Sequence, residues 1–153
     1  MALSSEIVSR STKKPRSHCP ISFGLDLVGD RWTLLVLRDL IIVGKRHFRE
    51  LTSSPEAIAS NILTARLNLL ECQGIITRRR DPTNARQLIY EPTAKGLDLL
   101  PVMLELARWG ATYDPKTAAP PGFAEKIRTD RDGFIDQIRS ARGDKSRTDG
   151  KRR

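Results

Sequence analysis

The segment from Ala59 to Gly74, ASNILTARLNLLECQG, has the spacing of an amphipathic helix with an unusual polar face. Its large apolar side chains recur at helical intervals, while the opposite face carries short hydrogen-bonding side chains and almost no charge. A face that is merely solvated usually carries Glu and Lys, whereas short polar side chains can approach base edges in a DNA major groove. On periodicity alone, both interpretations stay open. The apolar stripe consists of Ile62, Leu63, Leu67 and Leu70, and the polar face of Ser60, Asn61, Thr64, Ala65 and Asn68.

The polar side chains of this segment divide by the contacts they can make with DNA. We take Ser60, Asn61, Thr64 and Asn68 as candidates for the groove side of the helix. An Asn amide can pair in bidentate fashion with adenine, and Ser or Thr can bind base edges or phosphates. Arg66 falls close to the apolar stripe, so a phosphate contact and an internal salt bridge are equally open for it.

An arginine-rich hairpin is predicted directly after this segment. The runs IITRRR and QLIYEP flank the turn-forming DPTNAR, which favours two strands of about five or six residues. Strand alternation places Arg78 and Arg80 on one face and Arg79 on the other. Such arginines commonly reach phosphates or a narrow minor groove. Lys45 and Arg46, before the helix-turn-helix, are further phosphate candidates, with ordinary surface charge as their alternative. The phosphate candidates are Lys45, Arg46, Arg78, Arg79, Arg80 and Arg86.

Cys19 is the second candidate site. Pro20 follows it and suits the first turn of a helix, so Cys19 is expected at a helix N-terminus. The unpaired amides and the helix dipole there would stabilise a thiolate, and Arg16 and His18 are near in sequence. An exposed Cys19 is therefore a candidate reactive thiol. The alternative is an unreactive, part-buried cysteine at the start of a helix.

Neither metal binding nor catalysis is indicated. The cysteines, Cys19 and Cys72, have no CxxC spacing, and His18 and His47 complete no finger or ribbon, so we expect no metal and no cofactor. Cys72 is expected to be packed rather than reactive. An enzyme with a cysteine nucleophile would need partners that are absent, such as a Ser/His/Asp set or a Gly-rich phosphate loop.

Charge and hydropathy define the class of partner. The chain has 153 residues, with 27 Lys and Arg against 18 Asp and Glu, for a net charge of +9. This excess indicates a polyanion, either nucleic acid or an anionic membrane surface. The longest apolar stretch is interrupted by charged residues, and the N-terminus lacks the apolar core of a secretory signal. We expect a cytoplasmic protein that does not enter a membrane.

The elements that position these residues form a helix-turn-helix followed by a wing. A short helix with Ile21, Leu25 and Val28 precedes RWTLLVLRDLII, a helix capped by Asp30 and apolar on most sides, which must lie at the centre of the domain. The helix HFRELTSS and the short SSPEAI connection then lead to the recognition helix at 59–73. With the hairpin at 75–91, these elements predict a winged helix, in a mainly α (α+β) fold.

A long helix after the wing is predicted to form an interface. Thr93 can cap TAKGLDLLPVMLELARWGATY, in which Pro101 should either kink the helix or mark its true start. Its apolar residues spread over more than one face, which indicates packing against a second subunit or, alternatively, against the C-terminal tail. We therefore divide the chain into a flexible basic arm at 1–17, a DNA-binding and dimerisation domain at 18–114, and a linker with a basic tail at 115–153. That tail includes a short helix at 123–140.

The order of these motifs resembles the HxlR family of bacterial winged-helix transcriptional regulators, relatives in fold of the MarR proteins. The resemblance implies a homodimer, held by the first helix region and the long helix, that presents two recognition helices to a pseudo-palindromic operator. It also implies that the cysteine at position 19 can sense oxidants or electrophiles. Family members commonly place serine at the start of the recognition helix, where this chain has Ala59 before Ser60. The motifs on which this resemblance rests are Cys19-Pro20, Gly29, Arg31, Trp32, FREL at Phe48 to Leu51, Leu63 to Leu67, LLECQGII, IYEPTAKG and LLPVMLELARWG.

Two alternatives to this function are open. The same fold could be controlled by a small-molecule effector, of unknown identity, instead of thiol chemistry. A winged helix can also serve as a module for protein association or RNA contact. Target genes, and the choice between repression and activation, are not encoded in these patterns.

Overall fold

The computed structural model describes Lys14 and residues 16–143, so most of the predicted N-terminal arm and the last ten residues of the tail, 144–153, lie outside the described part. The fold is mainly helical, with one two-stranded antiparallel sheet, as the sequence predicts. Its elements are α1 (Pro20–Val28), α2 (Thr33–Arg38) continued by a π-helical turn (Asp39–Val43), α3 (Phe48–Thr52), α4 (Ser60–Cys72), β1 (Ile76–Arg80), β2 (Leu88–Pro92), α5 (Ala94–Leu97), α6 (Leu100–Tyr113) and α7 (Phe123–Ala141).

Helix α2 and its π turn occupy the centre of the domain. Asp30 caps the start of α2, because its carboxylate accepts hydrogen bonds from the backbone N–H groups of Trp32 and Thr33 at 3.1 and 2.9 Å. Leu37 and Ile41 are completely buried, and burial of one such side chain contributes about 1.5–3 kcal/mol. The π turn ends at Gly44, whose φ of 91° is in the left-handed region that glycine adopts without strain.

Helices α3 and α4 form the helix-turn-helix. The apolar stripe of α4 faces the core, where Leu63, Leu67 and Leu70 are buried. Ala59 occupies the N-cap position of α4 and provides no side-chain hydrogen bond, so the helix begins at Ser60. The connection contains Ala57 at a φ of 55°, a backbone conformation that L residues rarely adopt.

The wing is a hairpin of two five-residue strands. Its register runs from Ile76 opposite Pro92 to Arg80 opposite Leu88. The segment before α3 adds an isolated bridge between His47 and Ile89, and the Tyr90 N–H donates to the carbonyl oxygen of Arg46 at 2.8 Å. The wing is therefore fastened to the chain that leads into the helix-turn-helix.

The predicted long helix after the wing is divided in two. Thr93 caps α5, because its hydroxyl accepts from the Gly96 N–H at 3.2 Å, and Pro101 stands in the first turn of α6. Pro101 thus marks the true start of the long helix. At Gly96, a Cβ would overlap the carbonyl oxygen of Ile75, so the close packing of α5 on this backbone requires glycine.

Helix α7 packs along α6 and completes the core. Ile127 and Ile135 are almost fully buried, and the Arg139 guanidinium lies 2.5 Å from the Asp98 carboxylate. One residue inside α7 is not helical, Asp130, with φ −142° and ψ 48°. The Asp130 carboxylate then accepts from the Gly133 N–H at 3.2 Å. One face of α6 is therefore covered by this chain's own C-terminal helix.

Candidate nucleic-acid interface

The outer face of α4 is exposed and polar. Ser60, Asn61, Thr64 and Asn68 are all exposed along it. The Thr64 hydroxyl donates to the Ser60 carbonyl oxygen at 2.9 Å, an intrahelical bond that leaves the hydroxyl oxygen able to accept. Within the described residues, the Asn61 side chain forms no hydrogen bond. Its donors and acceptor are therefore all available to a partner.

Arg78 connects the wing to the end of α4. Its Nε lies 2.9 Å from the Glu71 carboxylate, and one of its terminal nitrogens donates to Asn68 Oδ1 at 3.4 Å. In the strand register Arg78 lies opposite Tyr90, so it projects from the face of the hairpin nearer to α4. This wing arginine, the Glu71 carboxylate and the Asn68 amide thus form one cluster.

The opposite face of the wing holds a second cluster around Glu91. Arg79 Nε lies 3.1 Å from this carboxylate, and Arg46 pairs with its other oxygen. Hydrogen bonds from Arg79 and then Arg46 hold the pKa of Glu91 below its usual value. The alternation predicted for Arg78 and Arg79 is present. Both are half-exposed and already have carboxylate partners, so a phosphate would compete with Glu71 and Glu91.

The loop of the wing carries two further arginines. Arg80 donates to the Ala85 carbonyl oxygen at 2.9 Å, and the Arg86 guanidinium has no ion pair with any described residue. The loop conformation depends on Asp81, whose carboxylate accepts from the Thr83 N–H and hydroxyl at 2.8 and 2.7 Å. These hydrogen bonds, with one from His47, keep the pKa of Asp81 well below its usual value.

Two sequence candidates are engaged inside the protein. Lys45 Nζ lies 3.0 Å from the buried Asp39 carboxylate and 2.7 Å from the Ser54 hydroxyl, and only 18% of the Lys45 side chain is exposed. The phosphate contact expected for Lys45 is therefore replaced by a buried ion pair in this structure. Arg66 pairs with Asp30 at 3.2 Å. Of the two possibilities left open by the sequence, a phosphate contact and an internal salt bridge, the structure shows the salt bridge.

Both cysteines are exposed, and they form no disulfide with each other. Cys19 occupies the N-cap position of α1, and its backbone N–H donates to the Ser17 hydroxyl at 3.3 Å. Cys19 is thus not part-buried in the single chain, and its reactivity stays a prediction. The packing expected for Cys72 is wrong, because this residue, at the last position of α4, is also exposed.

Two helices other than α4 carry exposed apolar side chains. Large apolar side chains remain exposed on α1 and on the side of α6 that α7 does not cover. Trp109 and Tyr113 are 59% and 69% exposed, with ring centroids 5.3 Å apart. Isolated exposed apolar residues are common, but a row on one helix face indicates an interaction site. We call this set the apolar face; it consists of Ile21, Phe23, Leu25, Val102, Leu106, Trp109 and Tyr113.

Other kinds of site are not found in the described part of the chain. Within Lys14 and residues 16–143, no group of His, Cys, Asp and Glu side chains is arranged to hold a metal ion. No helix among these residues is long and apolar enough to cross a membrane.

The acidic partners of the arginines were missed by the sequence analysis. Glu71 and Glu91 each organise arginines that the sequence treats as free, and Asp81 shapes the wing loop. The signal that could have found Glu91 is its place in the strand next to β1, where oppositely charged residues commonly pair across a hairpin. Glu71 gives no local signal, since its partner is on another element.

Comparison with known proteins identifies the family. A model described as the HxlR-like helix-turn-helix matches residues 27–118, more than half of the chain. This match covers the helix-turn-helix, the wing and α6. The chain belongs to the HxlR-like helix-turn-helix family.

The relatives are transcriptional regulators. An uncharacterized HTH-type transcriptional regulator of Synechocystis sp. (sll1512) is 34% identical over 95 residues, which cover 62% of this chain and 70% of that protein. An HTH-type regulator of Mycobacterium bovis (Mb3122) is 35% identical over 97 residues, covering 63% of this chain and 60% of the relative. The HxlR-like chain is thus placed among helix-turn-helix transcriptional regulators.

Solved structures share the winged helix. PA1607, described as a putative transcription factor, aligns with a TM-score of 0.62 and 31% identity over 69% of this chain and 73% of that one. The redox regulator HypR in its reduced form aligns with a TM-score of 0.56 and 29% identity, over 61% of this chain and 92% of that one. The reduced form of the transcriptional regulator YodB from B. subtilis aligns with a TM-score of 0.53 and 28% identity, over 66% of this chain and 99% of that one. YodB has also been solved bound to quinone, with a TM-score of 0.50 to this chain.

Proposed function

We propose that this HxlR-like protein is a transcriptional regulator that binds a pseudo-palindromic DNA operator as a homodimer. Helix α4 lies in the major groove, and the wing contacts the backbone or the minor groove. The observation that carries this proposal is the exposed polar face of α4, beside a hairpin whose arginines project from both faces. A helix of this size fits the major groove, and the wing arginines reach the flanking phosphates.

The charge distribution supports the wing contact. Arg86 has no carboxylate partner among the described residues, and Arg80 contacts only a backbone carbonyl, so both can bind phosphate without breaking an ion pair. Arg46 and Arg79 can exchange their half-exposed partner Glu91 for phosphate at small cost, since such ion pairs contribute little. Lys45 and Arg66 are engaged in ion pairs with Asp39 and Asp30, so we assign neither of them a DNA contact.

The apolar face supports the homodimer. Helix α7 already covers one side of α6, yet Val102, Leu106 and Trp109 stay exposed on the other. A two-fold dimer would bury this surface against its own copy and would present two α4 helices on one side. Such symmetry requires an operator with two related half-sites.

The experiment is a binding titration. The protein is added to a fluorescent duplex from the intergenic DNA upstream of its own gene, and separately to a shuffled duplex of the same length and composition. Tighter binding to the natural duplex, with affinity falling by orders of magnitude from low to moderate salt, is the expected result. Equal affinity for both duplexes would contradict sequence-specific binding. No binding to either would favour a protein-interaction module.

We further propose that Cys19 regulates this binding through its thiol. Cys19 is exposed at the start of α1, directly before the apolar side chains of Ile21 and Phe23. A disulfide-forming oxidant such as diamide would take up two thiol hydrogens with their electrons, while a sulfur–sulfur bond joins the Cys19 residues of two subunits. The change would reposition the dimer and release DNA. The similarity to HypR, a redox regulator, and to YodB, solved in reduced and quinone-bound forms, supports this proposal.

Two serine variants test the thiol mechanism, because both cysteines are exposed. Cys72→Ser retains Cys19 and should lose operator binding after diamide treatment, as the wild type does. Cys19→Ser should stay bound and should form no cross-linked dimer on a non-reducing gel. Full diamide sensitivity in Cys19→Ser would refute the thiol role and leave DNA binding untouched. Control by a small molecule would then be the alternative, for which an open cleft between α1 and α4, lined in part by Arg16, Asp30 and Arg66, is the available space.

A further inference from the structure

We propose that Arg78 sets the base preference of Asn68: the pair presents hydrogen-bond donors and reads guanine, not the adenine that an unconstrained asparagine binds. The inference rests on the proposed insertion of α4 into the major groove. It concerns a residue of the wing strand that acts through a residue of the recognition helix. Arg78 is thus a specificity-determining residue as well as a candidate phosphate ligand.

The first step is the position of Arg78. Glu71, in the last turn of α4, holds the Arg78 guanidinium by an ion pair of 2.9 Å to Nε. Tyr90 lies opposite Arg78 in the strand register and is only 6% exposed, so the wing strand is fixed at this point. With Nε bound to Glu71, the terminal nitrogens are directed toward Asn68.

The second step is the orientation of the Asn68 amide. A guanidinium has only donors, so the amide atom that faces it at 3.4 Å must be the oxygen. The amide nitrogen is then the group left for a partner on the exposed side of α4. Bidentate binding of adenine needs both amide atoms, with the oxygen accepting from the adenine amino group. Here that oxygen already accepts from Arg78, so its second lone pair would have to accept from the adenine amino group beside a guanidinium cation.

The third step is electrostatic. The adenine amino group is a donor and would approach the Arg78 guanidinium with like polarity. Guanine instead presents two acceptors, N7 and O6, in the major groove. The Asn68 amide nitrogen and the remaining Arg78 N–H groups can both donate to them. A base pair under Asn68 should therefore be G·C rather than A·T.

The test compares base preferences at the position under Asn68. An operator duplex is varied one base pair at a time, and binding of the full-length protein is measured for each duplex. The wild type should prefer G·C at one position by about tenfold, the discrimination expected from one good base contact. Arg78→Met retains an apolar stem and removes the donors, so the preference at this position should move to A·T. If Arg78→Met keeps the base preferences of the wild type at every position of the operator, the inference is overturned.

Further variants separate this effect from misfolding and from loss of charge. Glu71→Gln keeps the arginine but releases it, so discrimination at this position should fall while binding to shuffled DNA is retained. Arg79→Met removes an equal charge from the opposite face of the wing and should weaken binding to all duplexes without changing any preference. An identical preference change in Arg79→Met would overturn the role of Arg78. Absence of specific binding by the wild type would instead refute the proposed function itself.

Discussion

Nε2 of His47 lies 2.9 Å from Oδ2 of Asp81, and this contact joins the start of α3 to the loop of the wing. The other ring nitrogen lies 3.3 Å from the Glu50 carboxylate. The hydrogen bond with Asp81, and then that with Glu50, raises the pKa of His47, because both carboxylates favour the charged imidazolium. The helix-turn-helix and the wing are therefore connected most strongly when His47 is protonated.

This contact predicts a pH-dependent contribution to stability. The pKa of His47 is raised on folding, so its contribution is complete below the unfolded pKa of about 6.5 and is lost as the pH rises through the folded value. The difference in unfolding free energy between wild type and His47→Gln should thus be larger at about pH 6 than at about pH 8.5. Urea denaturation at both pH values measures it. The control is His18→Gln, which alters an exposed histidine. A difference in unfolding free energy between wild type and His47→Gln that grows with pH would refute the prediction.

The wing loop and the recognition helix should differ in their effect on DNA binding. Arg80→Ala combined with Arg86→Ala should weaken binding to all duplexes and reduce the salt dependence by about one unit of log–log slope for each lost phosphate contact. Asn61→Ala should lower operator affinity by about tenfold and leave affinity for shuffled DNA unchanged. Anisotropy titrations at several salt concentrations distinguish the two. Equal losses on operator and shuffled DNA for Asn61→Ala would contradict its role in base reading.

Lys45 should contribute to stability rather than to DNA binding. Lys45→Met removes one of the two cations that contact the buried Asp39 carboxylate, while Arg38 remains 2.8 Å away, so it should lower the unfolding free energy by about 1–2 kcal/mol. The salt dependence of DNA binding should not change. Arg49→Met, which alters an exposed neighbour without an ion pair in the described region, should be nearly neutral in stability. If Lys45→Met instead reduced the salt dependence of DNA binding and left stability unchanged, Lys45 would be a phosphate contact after all.

The apolar face should be required for the homodimer. Leu106→Asp places a charge at the centre of this face, so sedimentation should show monomers where the wild type is dimeric. Far-ultraviolet circular dichroism should be unchanged, because Leu106 is 55% exposed and contributes little to the monomer core. Gln137→Asp, at an exposed position of α7, is the matched control. A Leu106→Asp variant that sediments like the wild type would exclude this surface as the interface.

The contact of Arg142 with the π turn should stabilise the folded domain. Its Nε donates to the Ile41 carbonyl oxygen at 2.7 Å and a terminal nitrogen to that of Ile42 at 3.2 Å, so two carbonyl groups in the π turn gain charged donors. Arg142→Ala should therefore lower the unfolding free energy by about 1–2 kcal/mol in urea denaturation. Arg128→Ala removes an arginine whose only ion pair in the described region is with exposed Glu125, and should change stability little. Equal effects of both variants would argue against a specific role for Arg142.

The sequence by itself determined the order of elements and the polarity of their faces. The apolar spacing of Leu63, Leu67 and Leu70 predicted which side of α4 is buried, and Pro101 indicated either a kink or the true start of the long helix, of which the structure shows the start. These features are local, because helix periodicity, capping and proline geometry depend on residues within a few positions of one another. The family motifs follow the same local order.

Only the tertiary structure decided which charged residues are free. Lys45 and Arg46 are adjacent in sequence, yet one is paired with buried Asp39 and the other with Glu91 on the wing surface. The link from Arg78 to Asn68 and the position of α7 along α6 likewise depend on how separate elements pack. Hydrogen bonds and ion pairs act over a few ångströms, and residues distant in sequence come within that range only when the chain has folded.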